Sequence, residues 1–127
     1  MMVREKNAKA DFVVVGGGMA GLCAAVAAAR NGAKTLIIQD RPMFGGNASS
    51  EIRMWICGAH GPNRKETGLL EELQLDNLYF NPELHYTIWD DVMYNFVRQQ
   101  PNLSMLLNSS VESVEVEDGK IRSVTAW

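Results

Sequence analysis

The chain has 127 residues, a formal net charge of −3 and a sequence pI near 5.3. That length bounds it to one domain with one modest core, and the acidic balance gives no electrostatic basis for binding nucleic acid or an anionic membrane surface. Hydrophobic residues make up 46% and charged residues 21%, an ordinary globular composition, and no stretch approaches the ~18 apolar residues of a membrane span.

The opening stretch Met1 to Lys9 is charged and lacks an apolar core. It does not read as a signal peptide, so the expected location is the cytoplasm. The sequons beginning at Asn47, Asn102 and Asn108 are then chance matches. Cys23 and Cys57 are the only cysteines. They form no disulfide framework, Cys23 reads as a packing residue, and no Cys/His cluster has metal-ligand spacing.

The first element is the apolar run Phe12 to Val15, read as a strand buried on both faces of a parallel sheet. It leads into Gly16-Gly17-Gly18-Met19-Ala20-Gly21, a Gly-x-Gly-x-x-Gly cluster. Here Gly16 makes the tight turn, Gly18 lets a pyrophosphate approach, and Gly21 lets helix and strand pack closely. A helix is predicted from about Met19 to Asn31, with Leu22, Ala25, Val26 and Ala29 on its inner face. Its free N–H groups and dipole would point at an anion. Asn31-Gly32 ends it, and Thr35 to Ile38 form the second strand. The βαβ unit runs from Asp11 to about Gln39, the expected ~30 residues.

A second glycine cluster follows at Phe44-Gly45-Gly46-Asn47-Ala48-Ser49-Ser50. Beyond it, Glu66 to Leu78 reads as a helix carrying Leu69, Leu70 and Leu73 on one side. Asn81-Pro82 breaks that pattern. Thr87 followed by Asp90 reads as a capping box opening a third helix, with stripes Ile88, Val92, Phe96 and Trp89, Met93, Val97, ended by Pro101. Leu103 to Leu107 is a strand, and Val111 to Val116 turns through Glu117-Asp118-Gly119-Lys120 into Ile121 to Ala126. Glu112, Glu115 and Glu117 read as a solvated strand face.

The two glycine clusters together, with the run Gly-Gly-Asn-Ala-Ser-Ser-Glu-Ile-Arg-Met from Gly45 to Met54, resemble the N-terminus of the bacterial FAD-dependent oxidoreductase family within the two-dinucleotide-binding flavoproteins. The resemblance covers Asp11 to Trp127 and is specific near residues 11–60. It implies an α/β, Rossmann-like FAD/NAD(P)-binding fold, an incomplete parallel sheet with the start of a β-meander, and FAD as cofactor. It implies that Gly16, Gly18, Met19, Ala20 and Gly21 hold the pyrophosphate, with Gly45, Gly46 and Asn47 closing over it. The family's ribose-binding glutamate falls at Gln39, a departure. Its amide still offers an acceptor and two donors. Alternatively Asp40 takes the ribose and Arg41 lies against adenine or a phosphate, or both belong to a solvated loop. The start of the meander maps near Val111, as an adenine contact or an ordinary edge valine.

Flavoprotein disulfide reductases place redox cysteines at positions that are Ala48 and Arg53 here, which rejects that mechanism. The remaining catalytic candidates are His60 as acid or base, Cys57, and Arg53 as a stabiliser of reduced flavin. Their plain alternatives are a surface His, a packed Cys and an Arg bonded to backbone carbonyls. The resemblance further implies a fragment: residues 1–127 as the N-terminal portion of an FAD-binding domain, without its substrate domain, leaving Phe12–Val15 with an unpaired edge and binding FAD poorly or not at all alone. The function implied is hydride or electron transfer between FAD and a small-molecule substrate, with an electron acceptor also unidentified. A nicotinamide-dependent dehydrogenase module and a non-enzymatic Rossmann-like module are the alternatives.

Overall fold

The computed structural model describes residues 6–127, so the first five residues of the charged opening stretch lie outside it. Strand β1 (Phe12–Val15), helix α1 (Met19–Arg30) and strand β2 (Thr35–Ile38) form the expected βαβ unit. A 3-10 turn (Gly46–Ala48) follows, then helices α2 (Gly68–Phe80) and α3 (Tyr86–Arg98), strand β3 (Leu103–Leu106) and the hairpin β4 (Val111–Glu117) and β5 (Lys120–Ala126). The sheet order is β1-β2-β3, all parallel, with Val14 opposite Ile37 and Ile37 opposite Met105.

The strand alternation sends Val14, Ile37 and Leu103 into the core against α1 and α3. Ala25, Val26 and Ala29 are buried on α1, where small side chains let the helix lie close to the sheet. Trp89, Val92, Met93, Phe96 and Val97 supply the α3 side. Cys23 packs at the edge of this core as expected, and burial pushes its thiol pKa up. Gly32 takes the left-handed conformation that ends α1, at φ 92°. The β4–β5 turn is a two-residue hairpin with positive φ at both Asp118 and Gly119.

Three expectations need correction. β1 is not buried on both faces: Val14 alone is buried, and Val15 is 56% exposed. The reason is topological. Among the described residues β1 pairs only with β2, and the face carrying Val13, Leu36, Ile38 and Leu106 opens onto a cavity of about 720 Å³ beneath the hairpin. Second, Thr87 and Asp90 form no capping box. The α3 N-cap is His85, and the cap position is fixed by Asn81, whose Oδ1 accepts the His85 N–H at 2.8 Å. Asn81 is fully buried and also donates to Asn77 Oδ1 and the His85 carbonyl, so it joins the end of α2 to the start of α3. Third, Ile88 lies outside the buried α3 stripe and is 36% exposed.

Candidate functional site

The first glycine loop leaves β1 at Gly16, whose φ of 103° suits glycine and whose N–H donates to the Ile38 carbonyl at 2.8 Å. A side chain at Gly21 would collide with the Gly16 carbonyl oxygen, so only glycine lets α1 start this close to β1. The first intrahelical bond runs from the Leu22 N–H to the Gly18 carbonyl. Among the described residues the N–H groups of Ala20 and Gly21 have no protein acceptor, while the Met19 N–H faces the Gly45 carbonyl across the Gly18–Gly45 bridge. No side chain caps the helix, and no acid sits in its first turn. The Ala20 and Gly21 donors and the positive end of the helix dipole are left for an anion. A Cβ at Gly18 would enter open space. A dinucleotide pyrophosphate fits this donor set.

The second glycine loop packs directly on the first. Gly18 and Gly45 form a parallel bridge, and the Gly45 N–H donates to the Gly17 carbonyl at 2.8 Å. Gly45 has φ 105°, a conformation that disfavours any side chain, and an added Cβ would come within 2.6 Å of the Met93 thioether of α3. The loop is held from below by Trp89, whose indole N–H donates to the Ala48 carbonyl at 2.9 Å, and by Asp90, which accepts the Ser50 N–H at 2.9 Å. Asp90, expected to cap its own helix, instead fixes the loop after Gly46.

Two cavities flank the joined loops. One, about 410 Å³, is lined by Gly18, Met19, Ala20, Gly45, Asn47 and Trp55, among others. The other, about 270 Å³, lies at Gly16 and is walled by Val15, Ile38, Asp40, Ser109, Ser110 and Val111. Gly16, Gly18, Met19, Ala20, Gly45, Asn47, Asp40 and Val111 thus line one or other cavity, and Gly21 and Gly46 shape the loops between them. Ser109 and Ser110 were missed in the sequence. They follow β3 in a segment with no motif, and only the pairing of β3 with β2 brings them beside Asp40.

Gln39 and Arg41 both have partners within the protein. Gln39 is almost fully buried, and its amide bonds the Gly17 N–H and the Met43 carbonyl. Arg41 is exposed and pairs with Glu51 at 3.3 Å. Arg53 has φ 61°, its Nε donates to the Ser50 carbonyl, and its guanidinium lies 5.7 Å from the centroid of the Tyr86 ring. The Tyr86 hydroxyl in turn donates to the Arg53 carbonyl at 2.9 Å. Cys57 and His60 lie exposed in the irregular segment before α2. Among the described residues no group of three or more His, Cys, Asp or Glu side chains is arranged to hold a metal.

A parallel βαβ unit with an uncapped helix N-terminus behind a glycine turn defines a dinucleotide-binding protein of the Rossmann-like class. The chain belongs to the FAD-dependent oxidoreductase family, whose model matches residues 11–127. Its cofactor is FAD. The chain is 31% identical over 134 aligned positions to the tRNA uridine 5-carboxymethylaminomethyl modification enzyme MnmG of Bacillus subtilis, covering 90% of this chain and 21% of that one. It is 36% identical over 82 positions to ferredoxin–NADP reductase 1 of Bacillus licheniformis, covering 63% of this chain and 23% of that one. Thermovibrio ammonificans THI4 shares the fold, with a TM-score of 0.56, 20% identity, and 91% of this chain matched to 45% of that one. The chain spans about a fifth of the length of these two curated relatives.

Proposed function

We propose that residues 1–127 form the N-terminal portion of the FAD-binding domain of a flavin-dependent oxidoreductase, which moves hydride or electrons between a small-molecule substrate and FAD. The observation that carries this reading is the uncapped N-terminus of α1, with the Ala20 and Gly21 N–H groups open beside the second glycine loop. When bound, FAD supplies a two-electron acceptor. The protein's own residues then have distinct tasks. Gly16 and Gly18 admit the pyrophosphate, and the N-terminus of α1 neutralises it. The Gly45–Asn47 turn covers it, and the Asp40–Val111 cavity receives the adenosine.

Disulfide exchange has no place in this site. Ala48 and Arg53 occupy the redox-cysteine positions, Cys23 is tucked against the core, and Cys57 lies exposed in the segment before α2. Among the described residues no helix is long and apolar enough to cross a membrane. The exposed outer face of β1 supports the fragment reading, because a strand of this apolarity normally has a neighbour or a cover. The test is a thermal-shift titration with FAD, FMN and NADPH. FAD should raise the melting temperature most, and a larger shift with NADPH would replace this reading with a nicotinamide site.

A further inference from the structure

The Gln39 side chain touches both glycine loops. Its Oε1 accepts the Gly17 N–H at 2.6 Å, and its Nε2 donates to the Met43 carbonyl at 3.1 Å. Gly17 belongs to the first loop. Met43 precedes Phe44, whose ring packs so closely on Gly17 that an added Cβ would come within 2.5 Å of it. The Gly17 carbonyl is taken as well, by the Gly45 N–H. Gln39 and Phe44 therefore enclose Gly17 while the second loop pins it from its carbonyl side. An amide suits this position and a carboxylate does not. A carboxylate would accept the Gly17 N–H but would turn a buried oxygen, with no proton to donate, toward the Met43 carbonyl.

Asp40 is the next residue, and its setting is the reverse. It is exposed and has no hydrogen-bond partner among the described residues. The backbone on either side of it is fixed, since the Gln39 carbonyl accepts the Ser109 N–H at 3.0 Å and the Arg41 carbonyl accepts the Asn108 N–H at 3.2 Å. Asp40 is thereby held on the wall of the Gly16–Val111 cavity. Its two carboxylate oxygens are acceptors for adjacent hydroxyls.

We propose that Gln39 is a positioning residue that clips the two glycine loops together, and that the ribose diol of the bound dinucleotide is recognised by Asp40 instead. The ribose half of this statement rests on the FAD reading above.

The test is an amide NMR titration of the chain, to millimolar concentration, with ADP and with 2′,3′-dideoxy-ADP. The wild type should prefer ADP by about tenfold or more, because the dideoxy nucleotide forfeits both hydroxyl bonds to a charged group. Asp40→Ala should remove that preference. Gln39→Met should weaken both nucleotides by the same factor, keep the preference, and expose the Gly17 amide proton to exchange. Gln39→Glu supplies a signature that a purely steric role would not give. Burial raises the pKa of its carboxyl, and only the protonated form can donate to Met43, so its stability deficit should shrink as pH falls.

Loss of the diol preference in Gln39→Met, or its survival in Asp40→Ala, would overturn the assignment. So would a Gln39→Glu protein as stable as wild type at every pH. If neither nucleotide moves the Met19–Gly21 amides of the wild type, the FAD reading itself fails. Exchange at Gly17 still decides the clip in that case.

Discussion

Two glycines three residues apart separate folding from binding. Gly21→Ala places a methyl against the Gly16 carbonyl and within 3.3 Å of Val14 Cγ1, so helix and strand must part. Overpacking of that kind costs about 1–3 kcal/mol, a fall in melting temperature of roughly 3–12 °C for a chain of this size. Gly18→Ala is the opposite case. Gly18 has φ −63° and ψ 175°, a conformation open to alanine, and an added Cβ meets nothing within 4 Å. The substituted chain should be as stable as wild type, or more stable by about 0.4–1 kcal/mol through the loss of unfolded-state freedom. Its methyl would stand where the pyrophosphate has to pass. The same 1–3 kcal/mol then appears as about a 5- to 150-fold weaker apparent dissociation constant for FAD. Differential scanning fluorimetry without ligand and a titration with FAD measure the two quantities. A Gly18→Ala protein that binds FAD as well as wild type, or that melts as early as Gly21→Ala, refutes the reasoning.

Other substitutions test separate parts of the account. Asn81→Ala leaves the His85 N–H without its acceptor and empties the fully buried site that joins α2 to α3, while the His85 carbonyl keeps the Trp89 N–H; urea denaturation should show a loss of about 1–3 kcal/mol. Glu72→Gln removes the charge and one of the paired bonds to Arg30 at 2.6 and 2.7 Å, which hold the Glu72 carboxyl below the usual range. Because that pKa is depressed in the folded state, its stabilisation is present above the ordinary glutamate value and lost as pH falls through the folded one. The pair is about two-fifths exposed, so the loss at neutral pH should stay under about 1 kcal/mol and vanish in acid. An equal loss at pH 7 and at pH 2 would contradict this. In the intact flavoenzyme His60→Ala should leave flavin reduction within about twofold of wild type, since His60 is exposed and among the described residues no side-chain hydrogen bond holds it. A loss near 100-fold in stopped-flow absorbance would return it to an acid–base role.

The sequence was most legible where the physics is local. Gly16, Gly18 and Gly21 carry their tasks in their spacing, Asn31-Gly32 and Asp118-Gly119 carry theirs in backbone preference, and α1 follows from its alanine-rich inner face. Contacts between segments were harder to read. Thr87 and Asp90 have cap spacing, but the competing partner of Asp90 is Ser50, forty residues earlier. The cap of α3 lies with Asn81, which in sequence looks only like a helix breaker before proline. Apolarity at Phe12, Val13 and Val15 reports what β1 is built to meet, while strand order decides what it meets here. Gln39 reads from its spacing as a ribose contact, and its bonds to Gly17 and Met43 show only once those residues are placed around it.

The central claim is that the N-terminus of α1 and the second glycine loop hold the FAD pyrophosphate between them. An amide NMR titration with FAD to millimolar concentration tests it residue by residue. The largest shifts should fall at Met19, Ala20, Gly21 and Gly46. Saturable binding that leaves those four amides unmoved, or shifts confined to α2 and the hairpin, would contradict it.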